Sequence, residues 1–407
     1  MTLFRTVLAG ALVLAASRTG AGADSNGAWP RFLGPNLNGI SPEKGINKDW
    51  NARPPKELWR VDLTDNGFSG PSVADGKVFI IDHQGSQDIV RAVDLAAGKE
   101  VWRFPYEDTA KADWGYARST PTIDGQKVYT LGRLGQLHCL DVKTGKALWA
   151  VNLVKDFGGR PPQWDYSMSV LVDGEVLIVC PGAEDGSVAA LNKETGKLLW
   201  KGGNNDLPGY ATPIPATLNK VRQYVVGTGS FFIGVDAATG KQLWSFPCEN
   251  RYKSNAPTPI AVGDNVLITS GYGRGCMLLD VSGPEAKPVW ESKEMQSDMS
   301  TPILYEGDIY GPNGLNRLVC LDAKSGALKW QQKGFGKGSA MGVDGAMILI
   351  DGATGDVVLA SINPSAYQEL GRLKVLTKQR QYWTAPIVAH GKLIVRDQAV
   401  MVCLDLK

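Results

Sequence analysis

The sequence predicts an all-β protein, an eight-bladed β-propeller built from four-stranded antiparallel blades. Three observations carry that prediction. The stretch Leu140-Asp141-Val142-Lys143-Thr144-Gly145-Lys146-Ala147-Leu148-Trp149 recurs at Val93-Asp94 to Trp102, Leu191-Asn192 to Trp200, Val235-Asp236 to Trp244, Leu279-Asp280 to Trp290 and Leu321-Asp322 to Trp330. With Trp59 in front, the closing tryptophans stand 40 to 51 residues apart, the period of a propeller or solenoid. Between them lie apolar runs of four to six residues bounded by Gly, Asp, Asn and Pro, and no long 3.6-residue period follows residue 57. Those are the signals of strands and turns.

One repeat can be followed element by element in blade 6. Ser300-Thr301-Pro302-Ile303 begins the first strand, Gly307-Asp308 turns the chain, Ile309-Tyr310 begins the second, and Arg317 to Asp322 forms the third. The fourth ends at Trp330. In the turn between the last two strands, the Asp and Thr side chains can bond nearby backbone N–H groups, and Gly takes the positive φ. The tryptophan after the turn is expected to be buried between neighbouring blades.

Seven tryptophans mark seven outer strands, and a degenerate eighth is expected at Leu373 in Leu370-Gly371-Arg372-Leu373. The C-terminus supplies three strands, Trp383 to Ile387, Lys392 to Arg396 and Val400 to Leu406, without a fourth. Glu57 to Leu63 reads as a fourth strand without its three. The last blade is therefore expected to close on the strand 57–63, which removes the exposed edges of the ring.

Composition bounds the rest. The chain has 407 residues, 43% hydrophobic and 21% charged, enough for a large core. Residues 1–23 read as a secretory signal, with Arg5 before an apolar run and Ala21-Gly22-Ala23 as a cleavage site. The expected mature chain starts at Asp24, is exported and soluble, and lacks a lipobox because no cysteine precedes Cys139. Loss of Arg5 and Arg18 balances its charge, so nothing attracts nucleic acid by net charge. Residues 24–56 lack the repeat; their anchors Trp29, Phe32 and Leu33 are expected to lie across the propeller.

Three separated histidines and no Cys-x-x-Cys-His give no support for a histidine-rich metal site or covalent haem. Cys139, Cys320 and Cys403 each stand two residues before the repeat Asp, which predicts small buried side chains on different blades rather than disulfides. Cys180, Cys248 and Cys276 have no assignment. Asp351 to Asp356 lacks the spaced oxygens of a calcium loop. Gly271-Tyr272-Gly273-Arg274-Gly275 lacks the helix that a phosphate loop needs.

In a propeller, the residue just before each innermost strand faces the central funnel. Alignment of the blades selects Phe68, Arg118, Tyr166, Tyr210, Ala256 with neighbouring Asn255, Met299, Lys337 and Trp383. Arg118 and Lys337 could hold a planar anion while Tyr166, Tyr210 or Trp383 stack on it. The same side chains could equally plug the narrow end of the channel. Asp113, Asp165 and Asp298 are the acidic groups nearest these positions, and each also reads as a solvated loop residue.

The Asp-x-x-Thr-Gly-Lys-x-x-Trp pattern resembles the tryptophan-docking repeat of the pyrroloquinoline quinone (PQQ) dehydrogenase superfamily, over residues 57–407. Within it, size and export look most like the BamB-like secreted PQQ-repeat proteins, and Trp29 to Gly39 and Gly334 to Ser339 resemble a secreted subgroup of them. The resemblance implies an envelope scaffold that binds a protein or polymer, without nucleic acid and as a monomer. The alternative it implies is a quinoprotein dehydrogenase using PQQ and calcium on an alcohol or sugar. That group carries two adjacent cysteines over the cofactor and calcium ligands beside a catalytic Asp; no Cys-Cys pair occurs here, so no catalytic residue carries over.

Replacing Trp149 by Ala is expected to lower stability by about 3–5 kcal/mol. An unchanged thermal midpoint would remove the docking role from the repeat tryptophan.

Overall fold

The computed structural model describes residues 27–376 and 381–407. The predicted signal, residues 1–23, lies outside the described residues. The chain forms eight antiparallel units of four strands arranged in order along the sequence, with one short added strand. Their innermost strands are Ser72–Ala74, Thr122–Asp124, Leu171–Asp173, Ile214–Leu218, Ile260–Val262, Ile303–Tyr305, Ser339–Val343 and Ile387–Ala389, which define blades 1 to 8. The strand Glu57–Asp62 pairs antiparallel with Val400–Asp405 and completes blade 8, with Trp59 opposite Cys403. The ring is closed as the sequence predicts.

The repeat turn works as its residue types dictate. Asp141 Oδ1 accepts the backbone N–H groups of Lys143 and Thr144 at 3.1 and 2.8 Å and the Thr144 hydroxyl at 2.8 Å. Asn192, Asp236 and Asp322 repeat the arrangement. These bonds leave Gly145 at φ +70°, where its missing side chain makes room for Trp102 of the preceding blade: an added Cβ would stand 2.5 Å from that ring. The Trp102 Nε1–H donates to the Val142 carbonyl at 3.1 Å.

Trp59, Trp149 and Trp290 dock in the same way on Gly98, Gly196 and Gly326, donating to Leu95, Lys193 and Ala323. Trp244 differs, donating to Gln223 Oε1 of its own blade at 2.7 Å. The turn after Asp280 does not offer a close glycine to it. All six cysteines are buried and free, including the three that the sequence left unassigned.

Blade 7 corrects the register of the degenerate repeat. Its outer strand is Glu369–Leu373, but Gly371, not Leu373, stands opposite Leu359 at the position where Trp330 faces Cys320 in blade 6. Trp50 from the N-terminal segment fills the space. A Cβ on Gly371 would fall 2.4 Å from the Cβ of Trp50, whose side chain is almost wholly buried. The Trp50 indole donates to the Asn47 carbonyl, and the Asn47 amide donates to Leu406, the residue after the repeat Asp405. Blade 7 thus borrows its docking tryptophan from residues before the repeat.

The same segment crosses one end of the central channel. Trp29 pairs with Val73 of blade 1, the Pro30 carbonyl accepts from Ile123 of blade 2, and Arg31 donates to Val172 of blade 3. Ile40–Ser41 then adds a parallel strand beside Gly342 and Val343 of blade 7. Further along the axis, hydroxyls join neighbouring inner strands: Ser169 Oγ accepts from Thr120, Thr212 Oγ1 from Ser169, and Thr301 Oγ1 from Thr258. Ser339 donates to the Thr384 carbonyl, and Thr384 donates to Phe68.

Because Trp50 takes the place of a repeat tryptophan, Trp50→Ala is expected to cost about 3–5 kcal/mol, as for a large aromatic lost from a core. Denaturant unfolding measures it; a loss below about 1 kcal/mol would show that blade 7 does not depend on the borrowed ring.

Candidate functional site

The channel is a blind cavity of about 990 Å³. Trp29, Phe32 and Leu33 floor it, the hydroxyls of Thr120, Ser169, Thr212 and Thr301 ring its middle, and aromatic and cationic side chains surround its mouth. Two aromatic groups stand there. Phe68 stacks on Trp383 with centroids 4.8 Å apart, and Trp114 lies 6.5 Å from Trp383. On another part of the wall, Trp164 contacts Tyr210 and Tyr252 at 6.0 and 5.4 Å, and Tyr252 meets Tyr272 edge-on at 4.8 Å.

Three cations join them. Arg118 donates Nη2–H to the Gly115 carbonyl at 2.8 Å, while its buried Nη1 has no hydrogen-bond partner. Burial lowers its pKa, with Asp165 opposing that effect. Among the described residues, no carboxylate stands within ion-pair distance of it. Lys337 pairs with Asp298 at 3.0 Å and lies over Tyr272. The Arg251 guanidinium lies over the Tyr252 ring at 4.4 Å. The Tyr210 hydroxyl, accepting from the Trp164 amide, is pushed up to about 12 by burial.

The structure brings Phe68, Arg118, Tyr210, Ala256, Met299, Lys337 and Trp383 to this cavity. It does not bring Tyr166 or Asn255. Tyr166 is buried away from the channel and donates to the Pro181 carbonyl at 2.9 Å. Ser169 occupies the collar position of Thr120, which makes Ser167 the counterpart of Arg118, so Tyr166 is one residue out of phase. In extended chain a one-residue step reverses the side chain. Asn255 is out of phase for the same reason: its Nδ2 donates to Thr228 and Cys248 and its Oδ1 accepts from Ser270, joining blades 4 and 5.

Of the acidic candidates, Asp113 lines the cavity, Asp298 is held by Lys337, and Asp165 is held by Arg133 at 2.7 Å. Sequence reasoning missed Trp114, Trp164, Arg251, Tyr252 and Tyr272. Four of these sit in the connections between blades, a few residues before the aligned position, where a search for loop aromatics would have found them; Tyr272 lies in a turn within blade 5.

Comparison with known proteins places this architecture. The family described as outer membrane protein assembly factor BamB matches residues 85–332. The chain belongs to that family. BamB of Moranella endobia is 25% identical over 309 residues, covering 69% of this chain and 73% of its own. Quinohemoprotein alcohol dehydrogenase ADH IIB of Pseudomonas putida is 34% identical over 174 residues, but these are 40% of this chain and only 24% of the enzyme. The fold superposes on BamB from Moraxella catarrhalis with a TM-score of 0.61 at 18% identity, covering 86% of this chain and 99% of that one. It superposes on the quinohemoprotein alcohol dehydrogenase of Comamonas testosteroni with 0.68 at 14%, covering 93% and 80%.

Beside the mouth, this BamB-family propeller buries a second charged cluster. His83 Nδ1 lies 2.9 Å from Asp88 Oδ1 and Nε2 lies 2.9 Å from the Gly85 carbonyl. Both partners accept, so both ring nitrogens are called on to donate, which only the imidazolium can do. Tyr106 donates to Asp88 Oδ2, Arg133 binds Asp108 through two nitrogens at 2.6 and 2.8 Å, and Tyr116 stacks on His83 at 3.5 Å. His83, Asp88 and Asp108 approach one another closely enough to hold a metal. Their ligand atoms are engaged with Arg133, Tyr106 and each other, so the cluster fits a charge network better. It anchors the loop from Asp108 to Arg118, which carries Trp114 to the mouth.

Burial opposes the His83 charge, but its bonds to Asp88 and Gly85 and the fields of Asp88 and Asp108 outweigh it and raise the pKa. A raised folded-state pKa gives stability that is full below the ordinary value of about 6.5 and lost as pH rises through the folded value. The stability advantage of the wild type over His83→Gln is therefore expected to be full in acid and to shrink as pH rises above the ordinary histidine value of about 6.5 in parallel unfolding series. A difference independent of pH would refute the imidazolium.

Proposed function

We propose that this chain is a binding propeller of the cell envelope, exported by its N-terminal signal, which holds a protein or polymer partner against the funnel mouth in the manner of a BamB-type scaffold. The observation that supports this most directly is the composition of the mouth. Trp114, 48% exposed, stands with Trp164, Tyr252 and Arg251 on loops from separate inter-blade connections. Aromatic and Arg side chains presented on a rigid support are what partner-binding surfaces use.

A second reading, oxidation of an alcohol or sugar with PQQ and calcium, is favoured by the cationic, aromatic funnel. The residues fit it in part. An anion suits Arg118, but calcium takes six to eight oxygen ligands, and among the described residues Asp113 is the one carboxylate that lines the cavity. Asp298 is engaged with Lys337, and no cysteine lines the cavity. Among the described residues, the donor set for the metal and a base beside the quinone do not come together in this cavity.

Two measurements separate the readings. Cross-linking of an envelope extract to the wild type, compared with a Trp114→Ala and Arg251→Ala double variant, is expected to give a partner captured by the first and lost from the second. Equal capture by both would move the interface away from the mouth. Incubation with PQQ and Ca²⁺ over a panel of alcohols and sugars is expected to leave a dye unreduced; turnover would replace the scaffold reading with the oxidoreductase.

A further inference from the structure

We infer that the blind cavity below the mouth is a site for a long-chain amphipathic carboxylic acid, its carboxylate on Arg118 and its hydrocarbon body reaching toward the floor. This goes beyond the partner-binding reading, which rests on the mouth alone. The first support is the orphaned donor. A guanidinium nitrogen buried without a partner carries a desolvation cost that an incoming acceptor would relieve; Arg118 lines the cavity, and its Nη1, just beneath the wall, is such an atom. The other mouth cations are engaged differently: Lys337 is neutralised by Asp298, and Arg251 lies over the outer tyrosines.

The second support is what lies beneath. Trp29, Phe32, Leu33, Met341 and Ile387 line the deeper part, so the surface a ligand meets below Arg118 ends in apolar side chains. The hydroxyl collar between is largely committed. Ser169, Thr212 and Thr301 accept backbone N–H groups, and Ser339 and Thr384 donate to carbonyls of neighbouring blades. It offers a ligand less polarity than its residue types suggest.

The third support is dimension. Arg118 lines the cavity ahead of the inner strand Thr122–Asp124, and Ile123 of that strand donates to the Pro30 carbonyl, where the N-terminal segment crosses the lower end. A cavity of about 990 Å³ that is closed at that depth admits a long apolar chain from the open end only. Mostly apolar walls with a few well-placed polar groups are the composition of small-molecule sites. A charge-assisted hydrogen bond from the guanidinium at the neck favours a carboxylate over an alcohol or ester.

The test uses cis-parinaric acid, a fluorescent long-chain acid, and its methyl ester. Saturable binding of one acid per chain is expected, with the ester weaker by roughly 10- to 100-fold. Arg118→Ala is expected to weaken the acid by a similar factor and to leave the ester unchanged, and Arg118→Lys to fall between. The comparison of acid with ester needs only the wild type, so it stands even if the Ala variant folds poorly. Equal affinity for acid and ester, absence of saturable binding, or full affinity in a folded Arg118→Ala variant would overturn the site. None of these results bears on partner capture through Trp114 and Arg251, which is read separately.

Discussion

The packing of a tryptophan against a glycine of the next blade is the contact on which this ring depends. A sheet four strands wide cannot bury both its faces alone, and each blade is stable only when its neighbours cover them. The tryptophan covers the turn of the following blade and ties it by an indole hydrogen bond, while the Asp or Asn of that turn fixes the glycine in the one backbone region that lets the ring approach. Each part is useless without the others. Where the pattern lapses, a substitute appears: Gln223 for Trp244, and Trp50 for the residue that blade 7 lacks.

Much of this was legible because the repeat imposes the same chemistry at a fixed interval. The blade count, the closing strand and the burial of Cys139, Cys320 and Cys403 all followed from register. The funnel was legible for seven side chains and failed for two, and both failures have one cause. Blade 3 replaces the Ser-Thr-Pro start by Met168-Ser169-Val170, and the serine at 167 imitates the start one residue early; in blade 5 Asn255 is merely the neighbour of the channel-facing Ala256. A slip of one in an extended strand exchanges a channel-facing side chain for a buried one. The borrowed Trp50 was not legible, because nothing local in residues 42–56 says which distant blade they serve.

The cavity shows how a symmetric scaffold acquires an individual interior. Positions common to the blades make the collar, whose hydroxyls are largely spent on holding neighbours together. The floor comes from residues outside the repeat, and the mouth from connections that differ in every blade. Charge follows the same division: repeat carboxylates cap turns on the outside, whereas Arg118 lines the cavity with no carboxylate in ion-pair distance among the described residues, and His83, Asp88, Asp108 and Arg133 neutralise one another beneath the loop that carries Trp114. Rigidity at the edge of the mouth thus comes from buried electrostatics rather than from regular strand pairing.

The split blade also sets the order in which the molecule can be assembled. Glu57–Asp62 is synthesised long before its partner Val400–Asp405, and Trp50 waits equally long for Gly371 and Leu406. Blades 1 to 6 can form locally as they emerge, because their contacts are close in sequence. The final seam pairs residues from opposite ends of the chain, the kind of contact that folds slowly and leaves strand edges open meanwhile. Until the last few residues arrive, the N-terminal strand is an unpaired edge of six residues with Leu58 and Trp59 upon it, and the nascent chain has to be kept from pairing that edge with another copy of itself.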